Sequence, residues 1–164
     1  MNIFALDNDP FKAARYHCDK HVVKMILESV QMMCTAVRLT TGEDVGYKAT
    51  HVNHPCSKWV RKSIWNYYWL GYLVEALNDE YKRRFNHTKN HKSFDVMMDL
   101  PLPELPDMGF RTPFALAMPE KFKCDDPVKS YREYYRVDKA GILVYKNTEK
   151  PYWLNIDDFI IERN

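Results

Sequence analysis

Three ionisable side chains recur at four-residue intervals in the segment HCDKHVVKMILESVQMMCTAVR, which begins at His17: Lys20, Lys24 and Glu28. On a helix this spacing puts all three on one face, one turn apart. A partly desolvated lysine amine is a nucleophile, and a nearby carboxylate can act as general acid or base. His17 and His21 titrate near neutral pH and could move protons. The candidate catalytic residues are therefore Glu28, Lys24, Lys20, His21 and His17.

The polar residues of this segment form one narrow stripe when it is drawn as a helix. They fall within an arc of about 100°, at about 100° per residue, and apolar residues fill the remainder. A surface helix ordinarily shows the opposite proportion, so this helix is expected to be buried on most sides. The stripe is either its solvated face, with a modest Lys24–Glu28 pair, or the wall of an active site, and the pattern leaves both open. Its members are His17, Lys20, His21, Lys24, Glu28, Gln31, Thr35 and Arg38.

The histidines lie in close pairs, but the spacing does not favour a metal site. No HExxH, CxxC or zinc-finger spacing occurs, and a proline separates the candidate ligands His54 and Cys56. We expect neither a metal nor another cofactor, and interpret the loop histidines as phosphate contacts or helix caps. The pairs are His17/His21, His51/His54 and His87/His91.

Basic and aromatic side chains alternate along the second long predicted helix, where Arg61 and Lys62 stand near Trp59 and Trp65. Rings can stack on bases and cations can bind phosphates. Farther on, YKRRFNHTKNHK concentrates cations and two histidines, the strongest electrostatic footprint for an anionic polymer. A solvated helix end with a charged loop is the competing interpretation. The candidate phosphate ligands in these stretches and in YREYYR are Arg61, Lys62, Arg83, Arg84, His91, Lys92 and Arg132.

The elements that must position these groups are mainly helical. A chain of 164 residues with 46% hydrophobic residues is expected to form one domain, residues 1–164, around a sizeable core. Only five glycines and no phosphate-loop motif argue against a nucleotide-binding α/β fold. We predict a mainly α fold, a compact single-domain helical bundle with long irregular proline-rich connections. Short strands at the termini, in NIFAL and ILVY, are an open alternative.

Caps and prolines set the predicted helix boundaries. Asp9 and Asp126 each precede a proline, as N-caps often precede a first helical residue. The segment 101–119 carries five prolines and is predicted to be irregular. The predicted helices begin at Pro10, span 19–39, span 55–85 with a bend near Gly71, and run from Pro127 to about Lys139.

Targeting signals are not apparent in the sequence. The opening MNIFALDNDP has no basic region, and no apolar segment approaches the length of a transmembrane helix. The four cysteines show no disulfide-like spacing, so reduced thiols and a cytoplasmic location are expected. The net charge of +2 is too balanced to decide on a nucleic-acid partner.

Three motifs together resemble the pyrimidine-dimer DNA glycosylase superfamily, which includes the endonuclease V of phage. They are CDKHVVKMILESVQ with its mid-helix glutamate, NHPCSKW at the start of the next long helix, and EYKRRF at its end. Their order and spacing cover roughly residues 1–92. The resemblance implies a helical domain that flips a nucleotide out of damaged duplex DNA, cleaves its glycosidic bond through an imine and nicks the backbone. It also implies a phage origin.

The resemblance also implies roles for individual residues. Glu28 matches the key carboxylate of the family, and Gln31 stands where an arginine is expected to hold phosphate. Asn53 and His54 belong to the motif that opens the second long helix, and they are expected to lie at the DNA.

The amine nucleophile is where the sequence departs from the family pattern. The family uses the α-amine of a processed N-terminus with a small residue, whereas Asn2 is not small and favours retention of Met1. The nucleophile is therefore the Met1 amine, Lys20 or Lys24. Two other functions stay open: a non-catalytic module that binds nucleic acid or protein, and an enzyme that modifies nucleotides or bases by transfer.

Overall fold

Six α-helices account for most of the regular structure of residues 1–155, the part of the chain that the computed structural model describes. Three short 3₁₀ turns follow the fifth and the sixth helix, and no strand occurs between residues 1 and 155. The predicted mainly α class is therefore confirmed. The helices are α1 (Pro10–Tyr16), α2 (Asp19–Thr41), α3 (Pro55–Lys62), α4 (Ile64–Phe85), α5 (Lys92–Met98) and α6 (Pro127–Asp138).

The helix α2 is the central element, and it packs against α3, α4 and α5. Its apolar residues are buried over most of the circumference, as the narrow polar stripe predicts. It ends at Gly42, whose φ of 75° is the left-handed conformation that closes many helices. The predicted span of 19–39 is thus confirmed to within two residues.

Proline-initiated helices form where the sequence places them. The Asp9 carboxylate accepts a hydrogen bond from the Phe11 amide, and Asp126 accepts from Val128 and Lys129, so each acid caps a helix. The proline-rich segment 101–119 contains no helix or strand, as predicted.

The predicted helix 55–85 is wrong in one respect, because two helices occupy it. Ser63 interrupts the span with an extended backbone, φ −151° and ψ 145°, and its hydroxyl caps α4 by accepting from the Trp65 amide. A serine N-cap competes for the backbone amides that a continuous helix would use. The helix α4 continues through Gly71 without a break in its helical structure.

Neither predicted terminal strand forms within the described residues. Residues 2–6 are buried and run without regular structure beneath α2, and residues 143–145 follow a 3₁₀ turn. The tail from 156 to 164 lies outside the described residues, so the single-domain assignment of 1–164 stays a prediction. Among the described helices, none combines the length and the apolar character that a membrane crossing requires.

Candidate active site

The N-terminal amine and Glu28 meet in the folded chain. The Met1 nitrogen lies 3.1 Å from Glu28 Oε1, an ion pair between the first residue and the middle of α2. The Met1 side chain is only 2% exposed, whereas the residue as a whole is half-buried. The accessible part of Met1 is therefore its backbone end, which carries the amine. Glu28, with 14% of its side chain exposed, is likewise within reach of solvent.

The start of α3 adjoins this pair through His54. Its Nδ1 accepts the Cys56 amide at 3.1 Å, so in the neutral ring the proton resides on Nε2. Burial lowers the pKa of His54, the positive Met1 amine lowers it further, and the Glu28 carboxylate opposes this shift. His54 is thus an electrostatic neighbour of both groups and can donate a hydrogen bond from Nε2.

The thiol of Cys56 also lies within the electrostatic reach of the pair, but it is fully buried. Burial raises its pKa to about 11, because a thiolate is poorly solvated there. An un-ionised thiol is a weak nucleophile, so Cys56 is a poorer candidate nucleophile than the amine.

The lysines of α2 lie on the same side of the helix as Glu28 but do not pair with it. Lys24 is one turn before Glu28 and Lys20 two turns before, and both side chains are exposed. Among the described residues, Glu28 forms its ion pair with the Met1 amine and with neither lysine. Gln31 lies on the next turn and is half-buried.

His17 and His21 belong to the core instead of the surface. His17 is fully buried with Nδ1 bonded to Ala13 O, and His21 stacks on Phe4 at 4.4 Å and bonds the Tyr135 hydroxyl. Burial lowers the pKa of His17 to about 4 and that of His21 to about 3. Both rings are held neutral, and the predicted proton transfer through them gains no support from their surroundings.

A groove of about 460 Å³ borders α3, and Pro55, the residue after His54, lies in its wall. Its walls carry three cations, of which the Lys58 and Lys62 side chains are exposed. Arg61 is half-buried and bonds Ser57 and the Val52 carbonyl, which fixes its guanidinium at the edge. Asn53, just before His54, is exposed. The lining residues are Pro55, Lys58, Trp59, Arg61, Lys62, Pro113 and Ala115.

A second group of charges, which we call the Arg84 cluster, comprises Asp19, Glu80, Arg83 and Arg84. Arg84 is fully buried; its Nε donates to Glu80 at 2.8 Å and its Nη1 lies 3.3 Å from Asp19. Arg83 donates to the same Glu80 oxygen at 2.6 Å. Asp19 precedes Glu28 by about 13 Å along α2. The structure therefore separates Arg83 and Arg84 from the amine and gives Arg84 no exposed surface for a phosphate.

Three further predicted phosphate ligands, Arg132, His91 and Lys92, do not line the groove at α3. Arg132 pairs with Asp7 and bonds the Leu6 carbonyl, so it braces the N-terminal segment. His91 caps α5 by accepting the Ser93 amide, and burial lowers its pKa. Lys92 is exposed at the first turn of α5.

Sequence reasoning missed two residues at this site. Asn2, only 8% exposed, follows Met1 and bonds three backbone groups, and nothing in its residue type indicates this. Lys58 stands in the predicted α3 and is one turn before Lys62, a spacing that places both on one face. Within residues 1–155, histidines, cysteines and acids do not gather in any group of three that could hold a metal.

Fold and site together define a class. A helical chain that holds an amine against a carboxylate, and that also carries a groove lined with cations, has the parts for covalent chemistry on a polyanion. The chain belongs to the pyrimidine dimer DNA glycosylase family, whose family model matches residues 1–93, more than half of its length. This confirms the resemblance and indicates a DNA substrate. No curated protein and no solved structure matches the chain.

Proposed function

We propose that this protein excises damaged bases from duplex DNA, with pyrimidine dimers as the substrate class, and that the Met1 α-amine is its nucleophile. Family membership over residues 1–93 supports a DNA glycosylase. The observation that carries the mechanism is the 3.1 Å contact between the Met1 nitrogen and Glu28 Oε1. An accessible amine against a carboxylate is the arrangement that imine chemistry requires.

The first step is a displacement at the sugar. The amine, after losing a proton to Glu28 or water, attacks C1′ of the damaged nucleotide. An N–C1′ bond forms, the glycosidic bond breaks, and its electron pair leaves with the base, which takes up a proton. The Glu28 carboxylate stabilises the positive charge that develops at C1′.

The second step opens the sugar and leads to a strand break. After loss of the second amine proton, the nitrogen lone pair expels O4′, which is protonated, and a protonated imine joins Met1 to C1′. Removal of a C2′ proton then expels the 3′ phosphate. Glu28 is the nearest described carboxylate to this amine, and His54 can supply a hydrogen bond to the leaving groups.

The choice of Met1 over the lysines rests on geometry. A nucleophile must be held near its base and near the reacting carbon, because misplacement is costly. The Met1 amine is fixed by a buried side chain, whereas Lys20 and Lys24 are long, exposed and flexible. The lysines are better suited to bind phosphates beside the site.

The DNA is proposed to lie along the groove at α3. Lys58, Arg61 and Lys62 would meet phosphates, and Asn53 and Gln31 would lie at the border of the amine site. Flipping of the damaged nucleotide brings C1′ to the amine, as enzymes that act on bases commonly require. Arg84 is not assigned to this contact, because it is fully buried.

Borohydride trapping tests the proposal directly, because hydride converts the imine into a stable amine bond. Wild type is expected to form a covalent adduct on DNA that contains dimers or abasic sites, and mass spectrometry should find it on Met1. Glu28→Gln should lower the trapping rate about 10²- to 10⁴-fold. An acetylated N-terminus should abolish the adduct.

Lysine variants provide the matched controls. Lys20→Ala and Lys24→Ala are expected to keep the adduct on Met1 and to weaken DNA binding at most modestly. An adduct that survives acetylation and is lost in Lys24→Ala would assign the nucleophile to Lys24. Absence of any adduct, with DNA binding unchanged in Glu28→Gln, would favour the non-catalytic binding module.

A further inference from the structure

The N-terminal segment is held in place from its second residue onward. Ile3, Ala5 and Leu6 have no exposed surface, and the Met1 side chain is buried against the core. A chain end without such contacts is ordinarily mobile. Here the amine therefore occupies a position that the fold determines.

The amide side chain of Asn2 makes the contacts closest to that amine. Its Oδ1 accepts the Ile3 amide at 2.8 Å and the Phe4 amide at 3.0 Å, and its Nδ2 donates to the Ala117 carbonyl at 2.8 Å. The residue is 8% exposed. One side chain thus ties the local turn to a segment more than a hundred residues away in sequence.

The turn that Asn2 closes contains an unfavourable backbone. Phe4 has a φ of 44°, in the left-handed region that bulky residues avoid. Its ring stacks on His21, and its amide is one of the two that Asn2 binds. Such conformations persist where the surroundings over-determine them, and they are frequent at functional sites. The first four residues therefore adopt a bent path instead of a relaxed one.

We propose that Asn2 is the positioning residue of the reaction, because its amide directs the Met1 amine onto Glu28; this rests on the proposed function. The register matters, since adjacent Cα atoms are about 3.8 Å apart. A chain trimmed to begin at Asn2 would carry its amine about that distance from the place where Met1 meets Glu28. The proposed positioning therefore requires that the enzyme retain Met1.

Asn2→Leu tests this proposal, because leucine has a similar size, lacks the amide and is not a small residue that would promote removal of Met1. Intact mass first establishes the N-terminus of each variant. A water-soluble carbodiimide then activates carboxylates, and the activated Glu28 carboxyl, 3.1 Å from the amine, should form an amide as the urea by-product leaves, so that the protein loses the mass of one water. The Met1–Glu28 cross-link is quantified by mass spectrometry, without DNA.

The cross-link and the trapping rate should fall together in Asn2→Leu. We expect both to drop about 10- to 100-fold, since small misplacements of reacting groups have effects of that size. Asn2→Asp keeps the acceptor oxygens and loses the donor to Ala117, so it should be intermediate. Affinity for DNA should change less than about twofold, because Asn2 is buried and does not line the groove.

Asn78→Leu is the matched control, since Asn78 is 2% exposed and its amide also accepts a backbone amide, that of His91. It should lose thermal stability but keep the cross-link yield of the folded protein. Equal cross-linking in Asn2→Leu and wild type would overturn the positioning role. If Asn2→Leu fails to fold, full yield in Asn2→Asp would do the same. Cross-linking that depends on Asn2, without any DNA adduct in wild type, would leave the positioning intact and refute the proposed function.

Discussion

Two glutamates on neighbouring helices pair with cations, yet the pairs differ in burial and in chemistry. Glu28 on α2 meets the Met1 amine and keeps 14% of its side chain exposed. Glu80 on α4 meets Arg84, which is fully buried and also approaches Asp19. A guanidinium keeps its proton at any pH that a protein survives, whereas an α-amine can release one. The same kind of ion pair therefore serves the fold in one region and can serve a reaction in the other.

Substituting each glutamate should distinguish the structural pair, Glu80–Arg84, from the Glu28–Met1 pair, and this is the largest effect that we expect. Glu80→Gln leaves the Arg84 charge buried with weaker partners, so the free energy of unfolding should fall by about 3 kcal/mol. Glu28→Gln breaks a pair that keeps partial access to water and leaves an amine that can lose its proton, so it should cost less, about 1 kcal/mol. Urea unfolding monitored by circular dichroism measures both. Equal losses in the two variants would mean that Glu28 is as structural as Glu80.

The sequence predicts the region around Glu28 better than the region around Glu80. The spacing of Lys20, Lys24 and Glu28 indicates their shared face, and the resemblance indicates Glu28 as the key carboxylate. Neither reveals that residues 1–6 return beneath α2, because that path depends on contacts with distant segments such as Ala117. The amine partner of Glu28 therefore became visible only in the folded chain.

Charge alone misleads in the second region. The run EYKRRF looks like a basic surface, but Arg84 points inward because Asp19, Glu80 and the His17 carbonyl lie there. A helix terminus does not show which of two adjacent arginines is buried. Likewise, a stripe of polar residues does not show which of its members are buried. His17 and His21 belong to the stripe, and both lie in the core.

Acid should lower the free energy of unfolding through the two buried histidines of the stripe, His17 and His21. The pKa of His17 is about 4 and that of His21 about 3 in the fold, against an ordinary value of 6.5. Between the lowered pKa values and pH 6.5, the unfolded chain therefore binds more protons than the folded one. The contribution to the free energy of unfolding is full above about pH 6.5 and is lost as the pH falls. The slope should approach about 1.4 kcal/mol per pH unit for each histidine below pH 6.

Urea unfolding at several pH values measures this slope. His21→Gln should lower the slope by about one proton, while His51→Gln, which replaces an exposed histidine, should leave it as in wild type. A slope unaltered by His21→Gln would mean that another group controls the loss of stability in acid. Such a result would also argue against a neutral, buried His21 in the folded protein.

The smallest effect concerns the cations that accompany the two glutamates. Lys62 is exposed on the groove at α3, whereas Arg83 is occupied by Glu80 and by the Asn147 carbonyl, each at 2.6 Å. Lys62→Met should weaken DNA binding several-fold and lower the slope of log affinity against log salt by about 1. Arg83→Met should do less, because a guanidinium already bound to a carboxylate neutralises little of a phosphate.

Fluorescence anisotropy with a labelled duplex, titrated at several salt concentrations, measures both slopes. Both variants replace an exposed cation by a thioether of similar length, so their difference reports on position and not on net charge. A larger loss of slope in Arg83→Met would move the DNA to the Arg84 cluster, about 13 Å along α2 from Glu28. The amine could then reach C1′ only if the duplex were bent or turned toward α3, so the path proposed for the DNA would have to be abandoned.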